Sequence, residues 1–259
     1  VHFLEFYRPG ERRIGESAGR FLGGALKADG IAIAIATKRS ATGIAAQLAR
    51  MGRDPIAAMQ SGHFMLYESA EMLSRFEHDG VIDAAAFDST VGAAVRAAHA
   101  RAGERPLRAF GDMVGLLWDR EEREAAVELE RLWNGLQSEL GFPLFCSYAI
   151  DVFSEHFSED ALHGVFDTHT HLCPTAGSAE IGRVLEQAID EVLGADAAAD
   201  VRSRMRARRS GLSMPKPEQM ILWVRSHLPQ FAGKILNRAR ELYDVTAPRV
   251  YLREEHSST

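Results

Sequence analysis

Residues 107–114 read L-R-A-F-G-D-M-V, continue as G-L-L-W-D-R, and pass into E-E-R-E-A-A-V-E-L-E-R-L-W-N-G-L. A short apolar run ending on an aspartate, a glycine-containing turn and a long amphipathic helix form a strand–turn–helix unit. In an α/β sheet, ligands bind at the carboxyl ends of such strands. The rest of the chain is read as built around that edge.

The flanking segments fit the same plan. Residues 1–7 read as a short strand ended by Pro9-Gly10, and residues 11–28 carry Ile14, Ala18, Phe21, Leu22, Ala25 and Leu26 on one helical face. Residues 31–36, I-A-I-A-I-A, are apolar on both faces, as in a doubly covered parallel strand. A helix over about 41–52 follows, then an aromatic strand at 64–68. Helices come next at 69–76 and 83–101, the latter with Asp83 as N-cap. Residues 120–140 form the longest helix, with Leu129, Leu132, Trp133, Leu136 and Leu140 as its stripe, and residues 144–150 form another core strand. Strands alternating with helices at this spacing predict a three-layer α/β domain with a mostly parallel sheet. After Pro174 the pattern changes: residues 178–193, about 197–208 and 217–243 are helical, with 210–217 as a breaker-rich connection. The expected division is therefore an α/β domain over 1–174 and an all-helical extension over 175–259.

Composition limits the function classes. A net charge of −6 argues against the whole protein being a nucleic-acid binder. Two cysteines, Cys146 and Cys173, make no disulfide framework and fit a reducing cytoplasm. No apolar run reaches transmembrane length, and the first residues lack a signal-peptide pattern, so a cytoplasmic protein without a membrane partner is expected.

The chemistry is less complete than the fold. The turn after the first central strand reads A-T-K-R-S-A-T-G, where a phosphate loop would lie, but the G-x-x-x-x-G-K-[ST] pattern is absent and Gly43 stands alone. Thr37, Lys38, Arg39, Ser40 and Thr42 could meet an anion at a helix N-terminus; a solvated, well-capped loop is the favoured reading. Asp112 stands where P-loop enzymes carry a magnesium-binding aspartate, a role with little support without the loop. Residues 166–172, F-D-T-H-T-H-L, resemble the H-x-H of metal-dependent hydrolases, since imidazoles two apart on a strand share a face. The barrel that such a site needs does not follow, and a hydrogen-bonded histidine pair near a sheet edge is the competing reading. Cys146 reads as a small buried hydrophobe. Arg202, Arg204, Arg206, Arg208 and Arg209 form a basic cluster whose spacing scatters charge around a helix.

Several pieces together resemble one family: F-L-E-F-Y (3–7), I-A-I-A-I-A-T-K (31–38), A-E-M-L-S-R-F (70–76), A-F-G-D-M-V-G-L-L-W (109–118), L-E-R-L-W-N (129–134), F-C-S-Y (145–148) and H-T-H-L-C-P (169–174). They resemble the MEDS domain, the methanogen/methylotroph DcmR-type sensory domain, over about residues 1–174. The resemblance implies a RecA/KaiC-like sandwich with a degenerate phosphate loop, sensing hydrocarbon-like or other small molecules and attached to bacterial histidine kinases or transcription regulators. Family members commonly have Glu at the position of Asp112, and the resemblance supplies no catalytic residue.

The resulting expectation is a non-catalytic sensory or regulatory protein without a cofactor. It binds a small molecule or a regulatory protein partner, such as a histidine kinase or transcription regulator, at the strand ends. Tyr7, Thr37, Lys38, Asp112, Trp118 and Tyr148 are the expected ligand-binding residues. The helical extension relays the signal or forms a homodimer through 178–243, where apolar residues are abundant. Two alternatives stay open: a metal-dependent hydrolase using His169 and His171, and a nucleotide-binding protein.

Overall fold

A computed structural model describes residues 1–10, 13–175, 177–205 and 212–246 of the chain. The chain divides into two compact units, Val1–Ala176 with Ser210–Met214 and Gly177–Arg209 with Pro215–Thr259. The first unit opens β1 (His2–Phe6), α1 (Ile14–Lys27), β2 (Ile31–Ala36), α2 (Lys38–Arg50), α3 (Pro55–Gln60), β3 (Phe64–Glu68) and α4 (Ser69–Leu73). A hairpin of β4 (Glu77–His78) and β5 (Val81–Ile82) follows, then α5 (Ala84–Phe87), a π-turn at Asp88–Gly92 and α6 (Ala93–Ala102). The unit closes with β6 (Leu107–Gly111), α7 (Met113–Asp119), α8 (Arg123–Leu140), β7 (Leu144–Tyr148), α9 (Glu159–Thr168) and β8 (His171–Leu172). The second unit is helical: α10 (Ser178–Leu193), α11 (Ala195–Met205), α12 (Lys216–His227) and α13 (Pro229–Thr246).

Local chemistry sets many of these boundaries. Asp54 and Asp83 each accept two backbone N–H groups at the starts of α3 and α5, and Ser158 caps α9 through the N–H of Ala161. Gly141, at φ 73°, ends α8 in the left-handed conformation that a side chain disfavours.

The main sheet has the order β3-β2-β6-β7-β1-β8, and every pairing in it is parallel. The fold is the mostly parallel, helix-covered α/β sheet that the alternation predicts, with helices after it. β2 is buried at all six positions because strands flank it and helices cover both faces. Its alanines face α1 and α2, where Ala32, Ala34 and Ala36 share a core with Ile14, Ala18, Leu22, Ile44, Leu48, Phe64, Phe110 and Phe145. On the other face Trp133 of α8 lies 3.6 Å from where a Cβ on Gly111 would stand. β8 closes the edge and is extended by Ser213, whose carbonyl accepts the Leu172 N–H at 2.7 Å.

Gly43, the lone glycine of residues 36–43, has a packing role. A Cβ on Gly15 would come 2.6 Å from the Cα of Gly43, so α1 and α2 cross with their backbones in contact. Other segments are corrected by the structure. The strand expected over 107–114 ends at Gly111, because Asp112 turns the chain into α7. Residues 159–168, to which periodicity assigned no element, form α9 beneath their Ser158 cap, burying Leu162 and Val165. Residues 217–243, expected to be helical, are the two helices α12 and α13, which part at Leu228, before Pro229.

In the second unit, Val184, Leu185, Ala188 and Ile189 of α10 are buried, as are Ile221 and Val224 of α12 and Ile235, Leu236 and Ala239 of α13. Of the basic cluster, Arg202 pairs with Asp190 at 2.9 Å and Glu186 at 3.4 Å, and Arg204 with Asp200 at 2.7 Å. Arg206, Arg208 and Arg209 lie outside the described residues. No helix among the described residues is long and apolar enough to cross a membrane.

Candidate functional site

Two constellations of polar side chains are buried in the first unit, one near the strand ends and one on the opposite face of the sheet. The first is centred on Asp112, which is 3% exposed. It follows β6, beside the turn in which Thr37 links β2 to α2. The Thr37 N–H donates to both carboxylate oxygens, at 3.0 and 3.1 Å. Thr37 Oγ1 lies 3.0 Å from Oδ2, and the Ser69 hydroxyl donates to Oδ1. Thr37 in turn accepts the Ser40 N–H as the N-cap of α2. Burial pushes the Asp112 carboxyl above its usual range, while the hydrogen bonds from Ser69, Ser40 and Thr37 oppose that shift. An internal carboxylate thus takes up the Thr37 amide at the start of α2.

The six residues expected at this site are not brought to one place. Tyr7 packs at the edge of the α1/α2 core, and its phenol is pushed up by burial first and then by the charges of Asp112 and Asp119. Tyr7, Thr37 and Asp112 therefore share one neighbourhood. Lys38 is exposed at the first position of α2. Strand alternation turns Tyr148 to the other face, where its hydroxyl donates to Glu130 at 2.8 Å. Trp118 meets Tyr148 edge-on, with ring centroids 5.5 Å apart, and carries the Arg123 guanidinium over its ring at 4.7 Å. Ser40 and Ser69 complete the Asp112 site. Ser69 carried no signal in the sequence beyond following a strand.

The paired histidines of 166–172 separate. Residues 166–168 are the last turn of α9, so the segment is not one strand and the two-residue spacing does not align the rings. His171 is exposed, with Nδ1 2.9 Å from Thr170 Oγ1 and its ring 5.5 Å from Phe3. His169 is turned inward, and its side chain is fully buried.

Its neighbours there form the second constellation. His2 of β1, Glu130 of α8, Cys146 of β7 and His169, just after α9, bring one ligand atom each within 4.8 Å of one another, and all four are buried. Among the described residues this is the one set of histidine, cysteine and carboxylate groups gathered closely enough to hold a metal. His2 Nε2 is 3.2 Å from Cys146 Sγ and 3.5 Å from Glu130 Oε2, and His169 Nε2 is 3.5 Å from Glu130 Oε1. The two imidazole centroids are 3.9 Å apart. Burial pushes Glu130 up to about 8 and His2 down to about 4, and drives Cys146 well up and His169 well down. Each group is held toward its neutral form because water is excluded. Sequence reading missed three of these four residues. The one available signal is Glu130, a carboxylate on the same buried face of α8 as Ala126 and Trp133.

The family model described as "MEDS: MEthanogen/methylotroph, DcmR Sensory domain" matches residues 1–170. No curated protein matches the chain.

Proposed function

The chain belongs to the MEDS family of sensory domains, and on that premise we propose that it is a non-catalytic regulatory protein of the cytoplasm. Its α/β unit binds a small molecule beside Tyr7, Thr37 and Asp112. The observation that carries this reading is the Asp112 carboxylate at the start of α2, with the Thr37 amide and the Thr37 and Ser69 hydroxyls around it. The Thr37 amide that could meet a triphosphate there already donates to the Asp112 carboxylate, and no glycine-rich loop wraps the turn. The neighbourhood therefore disfavours nucleotides and favours an uncharged ligand that packs against the Tyr7 ring. The helical unit of α10–α13 transmits the bound state to a regulatory protein, a histidine kinase or transcription regulator, or to a second copy of the chain.

The test is calorimetry and thermal-shift titration of the full chain with short alcohols and hydrocarbons, alongside ATP and GTP. Binding of an uncharged compound that weakens in Tyr7→Ala, without nucleotide binding, is the expected result. Micromolar ATP binding that survives in competition with those compounds overturns it. Light scattering on the same samples reads the coupling to assembly, as a ligand-dependent change in mass.

A further inference from the structure

We propose that His2, Glu130, Cys146 and His169 form a closed, four-coordinate site for a divalent transition metal, with zinc the best match.

The spacing of the donor atoms is the first reason. A tetrahedral site with bonds of about 2.0–2.3 Å has edges of roughly 3.3–3.8 Å between ligand atoms. His2 Nε2 lies at or close to such an edge from Cys146 Sγ, at 3.2 Å, and from Glu130 Oε2, at 3.5 Å; His169 Nε2 is 3.5 Å from the other carboxylate oxygen, and one ligand atom from each of the four residues lies within 4.8 Å of the rest. Ordinary core packing gives no reason for two imidazole nitrogens, a carboxylate and a sulfur to converge in this way.

The outer contacts orient the ligands. His2 Nδ1 lies 3.0 Å from the Thr168 carbonyl and 2.9 Å from Asn134 Oδ1. His169 Nδ1 lies 2.7 Å from the Val165 carbonyl. Carbonyl oxygens only accept, so each ring carries its proton on Nδ1 and turns the Nε2 lone pair toward the shared centre. This is the arrangement by which second-shell groups prepare metal-binding histidines. Tyr148 donates to Glu130 Oε1 in the same role.

The centre is rich in acceptors. Glu130 Oε2 and His169 Nε2 are fully buried and have no hydrogen-bond partner among the described residues. Buried polar atoms left in this state are costly, and a cation satisfies both at once. With a divalent ion, one thiolate, one carboxylate and two neutral imidazoles, the site has no net charge, which a dry interior requires. Loading displaces the Cys146 thiol proton to solvent, together with the Glu130 proton where that group is neutral. Sulfur and imidazole ligands favour zinc over magnesium or calcium, and full burial leaves no open position for substrate. The ion would clamp β1, β7, α8 and the turn after α9 together. Through Glu130 and Tyr148 it would also support Trp118, so it is a structural or regulatory centre. The proposal does not depend on the small-molecule reading, and its readouts need no organic ligand.

The experiment uses the full chain purified without a polyhistidine tag. Elemental analysis should find close to one zinc per chain, or one should bind on titration into chelator-treated protein. At a hundredfold excess over Kd, zinc should raise Tm by roughly 5–10 °C. Cobalt(II) in its place should give intense visible bands and a sulfur-to-metal charge-transfer band. That band should vanish in Cys146→Ser and persist in Cys173→Ser, and Glu130→Gln should weaken affinity at least tenfold. If the Cys146→Ser chain does not fold, the wild-type cobalt spectrum decides alone: a four-coordinate thiolate spectrum supports the site, and a six-coordinate one without sulfur charge transfer refutes it. Folded wild-type protein that neither carries nor takes up stoichiometric zinc or cobalt also overturns it.

Discussion

Replacing Asp112 tests whether the turn before α2 is an anion seat filled from within. Asp112→Ala removes the acceptor of the Thr37 N–H and of the Ser69 hydroxyl in a place only 3% exposed. A buried donor left unsatisfied costs about 1–3 kcal/mol. Thr37 and Ser69 together set a loss of about 2–6 kcal/mol, and the lower end applies because a desolvated carboxylate is removed as well, leaving ~2–3 kcal/mol. At about 2–4 °C per kcal/mol for a unit of this size, Tm falls by roughly 4–12 °C. Asp112→Asn keeps the shape and one acceptor, and its amide can donate to a hydroxyl, so the loss stays under about 1.5 kcal/mol. The second readout is the sharper one. Without the carboxylate the start of α2 is positive, and both variants should gain stabilisation from inorganic phosphate that the wild-type chain lacks. Thermal and chemical denaturation with and without phosphate measure both effects. Wild-type protein stabilised by phosphate as strongly as Asp112→Ala would refute the reasoning.

Tyr148→Phe deletes the buried donor to Glu130 and should lower stability by about 1–3 kcal/mol in urea denaturation, without changing the secondary structure seen by circular dichroism. Gly15→Ala should lower it by about 1–3 kcal/mol, against the usual helix preference for alanine, because its Cβ would stand 2.6 Å from the Cα of Gly43. An unchanged or raised Tm would show that α1 and α2 separate without penalty. Asp54→Ala removes the cap from the Ile56 and Ala57 amides and should cost about 1 kcal/mol, with Asp54→Ser recovering most of it.

Much of the fold could be read from local pattern. Ile31–Ala36, Phe64–Glu68 and Ser178–Leu193 lie where periodicity placed them, and Asp83 does cap the helix it precedes. These features depend on neighbours a few residues away, so a linear chain displays them. Segments whose structure depends on distant partners were misread. α9 has one buried side and a short span, and the H-x-H that follows it looked like a strand because spacing alone does not say whether a helix has ended.

The polar sites divide in the same way. Asp112 was visible because it ends a strand beside a turn. The partition of Tyr7 and Tyr148 onto opposite faces was not, since both lie at the ends of parallel neighbours and only alternation within the folded sheet separates them. By itself the amino-acid order determined a helix-covered parallel sheet followed by helices, because burial on one face or two leaves a periodic mark on the chain. Tertiary structure alone decided that residues 2, 130, 146 and 169 meet. Three strands and helices distant in sequence converge there with one turn, and a contact closed across more than a hundred residues leaves no periodic trace in the chain.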